Sequence, residues 1–226
     1  GKGANIIFKD ADAEAIERGA LRCFRNSGQS CNAPTRMLVE KPIYDDAIER
    51  LKKYASEFKV DDPNKEGEHI GPVISDVQFN KIQGLIQKGI DEGAKLVAGG
   101  PGKPEGLKDG YYVKPTVFAD VNNDMEIART EIFGPVLSVI PFETEEEAIQ
   151  IANDTDYGLT NYIQTQDNDK VQRVARKLRS GMVDVNVAGI AVDATFGGVK
   201  HSGIGREAGK EGLLEFLEVK SVGGWN

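Results

Sequence analysis

The stretch ANIIFKDADAEAIERGALRCFRNSGQSCNAPTRMLVE, Ala4 to Glu40, decides the fold class. Ala4 to Phe8 is a short apolar run of strand length. Asp10 or Asp12 is placed to cap a helix, because a side-chain oxygen there can accept the free N–H groups of a first turn. Ala13, Ile16, Ala20 and Cys23 then step by three, four and three, which is one buried stripe of a helix. Gly28 is placed to end that helix, and Thr35 to Val39 reads as the next strand. Strand, helix and strand in so short a span is the unit that builds a parallel sheet.

The pattern continues outward. Tyr44, Ile48, Leu51, Ala55 and Phe58 mark an amphipathic helix starting after Pro42. Ser75-Asp76-Val77-Gln78 is a capping box opening a third helix, with Phe79, Ile82, Ile86 and Ile90 on one face and Gly93 at its stop. Lys95 to Ala98 reads as a strand and Gly99 to Gly110 as an exposed loop. Tyr111 to Val121 is extended, with Pro115 demoting part of it to a sheet edge. Val136 to Ile140 is a buried strand, and Thr144-Glu145-Glu146-Glu147 is a second capping box whose carboxylates suit the positive end of a helix. A strand at Thr160 to Gln164, a helix carrying Val171, Val174 and Leu178, and a strand from Met182 to Val187 follow. Phe216 to Val222 is expected to be a last strand. The alternation predicts an α/β domain: a mostly parallel twisted sheet flanked by helices.

Length and composition bound the function. The 226 residues suit one large domain or two small ones. Twenty-eight basic against 36 acidic residues, a net charge of −8, argues against a nucleic-acid partner, whose binding needs Lys and Arg on phosphates. With 39% hydrophobic and 28% charged residues the chain is not wholly disordered. Its 26 glycines point to many tight turns and close backbone approaches. No stretch reaches the ~18 apolar residues of a membrane helix, so no membrane partner is expected. With no apolar leader and no C-x-x-C pair, the expectation is a reduced, cytoplasmic setting without disulfides. His69 and His201 lie far apart without a ligand cluster, so no metal site is expected. The opening Gly1-Lys2-Gly3, followed at once by a strand, reads as a piece of something longer.

Cys31 is the candidate nucleophile. It lies in Asn26-Ser27-Gly28-Gln29-Ser30-Cys31-Asn32, after a helix stop and before a strand, among small and polar neighbours. Loops at element ends present reactive groups, and a thiol of pKa ~8.5 needs only modest help to react. The alternative is a partly buried free cysteine without a role. A helix C-terminus would raise a thiol pKa, so activation must come from elsewhere. Cys23, on the helix stripe, is a core residue. Gly203-Ile204-Gly205-Arg206-Glu207-Ala208 matches G-x-G-x-x-A, but no strand precedes it, so its glycines shape a tight loop and not a dinucleotide cradle.

Phe24-Arg25-Asn26-Ser27-Gly28-Gln29-Ser30-Cys31 resembles the cysteine motif of the aldehyde dehydrogenase superfamily. Three further blocks agree in order and spacing: Glu131-Ile132-Phe133-Gly134-Pro135-Val136, Gly181-Met182-Val183-Asp184-Val185-Asn186, and Phe196-Gly197-Gly198-Val199-Lys200-His201-Ser202-Gly203-Ile204-Gly205-Arg206-Glu207. The resemblance runs from Gly1 to about Val222 and corresponds to the C-terminal half of the family's enzyme.

The resemblance implies residues 1–205 as the cysteine-bearing catalytic domain and 206–226 as a segment reaching into the oligomerisation region, with the C-terminal strand belonging there and the cofactor domain absent. It implies an NAD- or NADP-dependent oxidation of an aldehyde, possible semialdehydes included, to an acid. Cys31 would attack, forming a thiohemiacetal and then a thioester. Glu131 would hydrogen-bond the nicotinamide-side ribose and Phe133 would pack near the nicotinamide. Asn186 and the glycine-rich loop would support the site, and Val187 to Phe196 would line the substrate tunnel mouth. Gly1 matches the last glycine of the family's Glu-Leu-Gly-Gly motif, which places the general base before this chain. The 226 residues alone are expected to be inactive and to bind no cofactor; the parent is expected to be a homo-oligomer, a dimer or tetramer. The alternative reading is an assembly module or a cofactor-independent thiol esterase.

Overall fold

The computed structural model describes residues 1–224. Strand β1 (Ala4–Ile7) is buried at every position, as a strand covered on both faces must be. Ala4 and Ile6 enter one core and Ile7 the other. Helix α1 (Ala15–Phe24) follows, and β2 (Arg36–Glu40) pairs parallel with β1, Ile6 opposite Leu38. Helix α2 (Tyr44–Glu57) and helix α3 (Asp76–Asp91) precede β3 (Lys95–Ala98) and β4 (Thr116–Ala119). A single turn, α4 (Glu126–Arg129), leads to β5 (Val136–Phe142). Then come α5 (Glu145–Asn153), β6 (Thr160–Gln164), α6 (Asn168–Lys177) and β7 (Met182–Val185). The chain finishes with a two-stranded ribbon, β8 (Phe196–Gly197) and β9 (Arg206–Glu207), and helix α7 (Gly209–Leu214).

The sheet has seven strands in the order β3-β4-β5-β2-β1-β6-β7, all parallel except the edge strand β3. Helices α1 and α2 cover one face, burying Ile16, Ala20, Cys23, Ile48 and Leu51 against Ile7, Met37 and Val139. Helices α3, α5 and α6 cover the other, with Ile82, Ile86, Ala148 and Val174 against Leu38, Phe118 and Ile140. Both capping boxes form: the Ser75 hydroxyl accepts from Gln78 N–H, and the Thr144 hydroxyl accepts from Glu147 N–H. Gly93, at φ +89°, follows α3 in the left-handed conformation of a helix stop.

Several expectations are corrected. Asp12 accepts from Glu14 N–H at 3.0 Å and pairs with Arg18, so the helix starts at Ala15 and leaves Ala13 exposed; Asp10 instead binds Thr165 and Lys170. Helix α1 ends at Phe24, before Gly28. Pro115 precedes a strand that lies between two others, where its missing N–H is outside the ladder. Phe216 to Val222 forms no strand: after α7 the described chain is irregular and exposed, because an extended segment needs a neighbouring strand for its N–H and C=O groups, and none of β1 to β9 pairs with it. Trp225 and Asn226, the end of the expected oligomerisation segment, lie outside the described residues. Among the described residues no helix is long and apolar enough to cross a membrane.

Candidate active site

The segments singled out above converge on one edge of the sheet, where the parallel strands begin. Gly1 precedes β1, Cys31 precedes β2, Glu131 to Pro135 precede β5, and Gly181 precedes β7. The glycine-rich loop Phe196 to Ser202 folds onto the same edge. Val199 N–H donates to Gly158 O at 2.9 Å, and a Cβ on Gly181 would lie 2.0 Å from Gly197 O.

The cysteine loop is shaped by three successive left-handed residues, Asn26, Ser27 and Gly28, at φ 53°, 56° and 72°. Asn26 Nδ2 donates to Gln29 O at 2.9 Å, the Ser27 hydroxyl donates to Gly71 O at 2.7 Å, and Gln29 Oε1 accepts from Ile74 N–H at 2.9 Å. Gly28 is required by a close approach as well as by its φ: a Cβ there would sit 2.0 Å from Gly134 O and 2.6 Å from Pro135 N. The cysteine loop and the Glu131–Pro135 loop are thus in backbone contact. Cys31 is exposed, whereas Cys23 is fully buried, and burial pushes its thiol up to about 12. A buried thiol of that kind is inert near neutral pH.

The second loop is clamped from α3. Lys81 Nζ donates to Glu131 O at 2.8 Å, and Gln78 Nε2 donates to Ile132 O at 2.9 Å and Phe133 O at 2.8 Å. Phe133 has φ 56°, a conformation that costs a bulky residue about 1–3 kcal/mol and persists only where the surroundings enforce it. Ile132 is buried, while Glu131 and Phe133 are half-buried. A Cβ on Gly1 would lie 2.9 Å from Cys31 O, so the approach to β1 packs against the cysteine loop.

Asn186 is placed differently. Its side chain accepts from Thr165 N–H at 3.1 Å and donates to Thr165 O at 2.9 Å, tying β7 to β6 at the opposite, carboxyl-end edge of the sheet. From there Val187 to Phe196 returns toward the cysteine loop. Ile190 and Phe196 line a cavity of about 300 Å³ beside Asn32. A larger cavity, about 610 Å³, includes Leu21, Tyr54, Phe58 and His69 and has Asn26 but not Cys31 in its wall. Arg206 Nη1 donates to Gly198 O at 2.6 Å, and β9 pairs antiparallel with β8, so the G-x-G-x-x-A sequence braces the glycine-rich loop. Sequence reading had Gln78 only as a helix cap and missed Lys81; contacts spanning some fifty residues carry no local signal.

The aldehyde dehydrogenase family profile matches residues 1–222. A curated relative from Staphylococcus haemolyticus, assigned by its name to the same family, is 49% identical over all of this chain and 48% of its own length. An aldehyde dehydrogenase structure from Bartonella henselae matches with a TM-score of 0.97 and 60% identity, over 100% of this chain and 47% of that one. A Mycobacterium tuberculosis aldehyde dehydrogenase complexed with NAD+ matches with a TM-score of 0.94 and 43% identity, over 100% and 47%. The chain spans about half the length of the curated relatives it matches.

Proposed function

The chain belongs to the aldehyde dehydrogenase family, and from that premise we propose that it carries the nucleophile and part of the cofactor site of an NAD(P)-dependent enzyme that oxidises an aldehyde to a carboxylic acid. The observation that carries the reading is the exposed Cys31 on a loop held in backbone contact with the loop of Glu131 and Phe133.

Cys31 loses its thiol proton to solvent and attacks the carbonyl carbon as the thiolate; a C–S bond forms and the carbonyl π electron pair moves to oxygen. The Cys31 backbone N–H is one donor to that oxyanion, a role often worth about 2.7–4 kcal/mol. NAD(P), when bound, supplies the two-electron acceptor for the hydride leaving the former carbonyl carbon. Cys31 then holds the acyl group as a thioester, which water cleaves to release the acid and restore the thiol. The residues here fit the nicotinamide end of such a cofactor. The Glu131 carboxylate can accept from two ribose hydroxyls, and Phe133 offers a half-buried ring on a backbone that Gln78 and Lys81 hold in place.

The family's general-base motif Glu-Leu-Gly-Gly does not occur in these 226 residues. By themselves they are therefore proposed to oxidise no aldehyde and to bind NAD(P) negligibly. Residues 1–205 serve as the cysteine-bearing domain and 206–226 as an assembly segment of a homo-oligomer. Phe216 and Val219, 87% and 98% exposed, support burial of that segment against another surface.

The test uses the full-length protein. NAD(P)H formation with an aldehyde, abolished by Cys31→Ser at unchanged melting temperature, supports the reading. Ester hydrolysis at Cys31 without any NAD(P) reduction would favour the cofactor-independent alternative.

A further inference from the structure

The peptide unit that joins Ser30 to Cys31 is pinned on one side and free on the other. Ser30 O accepts from Ala33 N–H at 3.0 Å, which closes a turn over residues 30–33. Among the described residues no peptide bond is cis, so the Cys31 N–H of that planar unit points away from the Ser30 carbonyl. This N–H makes no hydrogen bond among the described residues.

The side chain of Gln29 fixes the chain that leads into this unit. Its Nε2 donates to Asn26 O at 3.2 Å, and Asn26 Nδ2 donates back to Gln29 O at 2.9 Å. The Gln29 N–H also donates to Asn26 O, at 3.0 Å. This reciprocal clasp closes the loop around Asn26 and Ser27, whose left-handed conformations persist only where the surroundings enforce them. Gln29 Oε1 then reaches out of the loop and accepts from Ile74 N–H at 2.9 Å. The segment it grips is itself fixed: Val73 N–H donates to Tyr111 O at 3.0 Å, and Ser75 caps α3. One and two turns along, Gln78 and Lys81 hold the Glu131–Phe133 loop. Both loops thus hang from the same stretch of chain. Ser27 makes one tie to it, at Gly71 O, and Gln29, two residues before Cys31, makes the nearer one.

We propose that Gln29 is a positioning residue for the oxidation: its amide, spanning Asn26 O and Ile74 N–H, holds the Ser30–Cys31 peptide so that the Cys31 N–H stays free for the oxyanion. The inference rests on the reading of Cys31 as nucleophile. Gln29 acts through the orientation of that one donor and not by touching substrate. Attack by the thiolate and hydrolysis of the thioester both pass through an oxyanion, and a preorganised donor stabilises charge that develops only there. Its loss therefore lowers kcat and leaves substrate binding alone. A reaction at the same sulfur that builds no oxyanion, such as displacement of iodide from iodoacetamide, does not need the donor.

The experiment uses the full-length protein with two variants. Gln29→Met matches the side chain's length without its hydrogen bonds, and Gln29→Asn keeps an amide that is too short to reach Ile74. Both are expected to lower kcat for aldehyde oxidation at least about tenfold, the factor that about 1.4 kcal/mol produces. The KM for aldehyde and for NAD(P), and the rate of Cys31 alkylation by iodoacetamide, are expected to stay within about twofold of wild type. Gln29→Glu, whose carboxylate still accepts from Ile74 N–H, is expected to recover kcat to within about threefold. Variants that slow oxidation and alkylation equally, act through KM or leave kcat unchanged overturn the proposal, as does a Gln29→Glu no faster than Gln29→Met. Should the wild type oxidise no aldehyde, the failure lies with the Cys31 reading, and 4-nitrophenyl acetate judges the positioning by itself. Acylation by this ester builds an oxyanion without cofactor, and it is expected to slow about tenfold in Gln29→Met and Gln29→Asn while alkylation holds. No slowing, equal slowing of both reactions, or a wild-type Cys31 that the ester does not acylate overturns the assignment.

Discussion

Replacing Gly28 by alanine tests whether the contact between the two loops holds the site together. Two costs add. At φ 72° an L-residue is penalised by about 1–2 kcal/mol. The new methyl would also meet Gly134 O at 2.0 Å and Pro135 N at 2.6 Å. Both are backbone atoms with no rotamer to yield, and overpacking of that kind typically costs another ~1–3 kcal/mol. The sum, about 2–5 kcal/mol, corresponds to a fall in Tm of about 4–20 °C for a domain of this size. Gly93→Ala is the control: its φ is +89°, but a Cβ there meets nothing within 4 Å, so only the conformational cost applies. Thermal and urea unfolding of both variants, with the alkylation rate of Cys31 followed in parallel, separates the two contributions. If Gly28→Ala melts within a degree or two of Gly93→Ala, the loop–loop contact does not have the role assigned to it.

Further outcomes follow from the same geometry. Iodoacetamide should label Cys31 in the folded protein and reach Cys23 only on unfolding, because Cys23 is fully buried with its thiol pushed up to about 12; equal labelling rates would contradict this. Gln78→Ala should remove two bonds to the Ile132 and Phe133 carbonyls, cost about 1–3 kcal/mol, and raise the KM for NAD(P) more than that for aldehyde. Lys2 is fully buried, and burial, with Arg36 nearby, lowers its pKa from 10.5 to about 7. Between about pH 7 and 10.5 the unfolded chain therefore holds a proton that the folded one has released, so stability should rise with pH across that window. Lys2→Met should flatten the rise, as measured by urea unfolding at pH 7 and pH 10.

The elements legible in the sequence were those with local causes. Ser75 and Thr144 cap helices through atoms three residues away, and β1, α1 and β2 follow from the spacing of their apolar residues. Cys31 stood out because it interrupts that periodicity in a loop. What stayed hidden depends on distant partners. Gln78 and Lys81 reach the Glu131–Phe133 backbone some fifty residues away, and Phe133 takes a left-handed conformation that no local rule favours. Phe216 to Val222 has strand composition but no strand to pair with among those described, and composition alone does not supply one.

The central claim is that Cys31 forms the covalent bond to substrate. The direct measurement is peptide mass spectrometry of the full-length protein, acid-quenched within the first turnovers with aldehyde and NAD(P). The account predicts an acyl mass increment on the peptide containing Cys31, absent from the peptide containing Cys23 and lost when NAD(P) is omitted. Turnover without an adduct on Cys31, or continued turnover in Cys31→Ser, would contradict it.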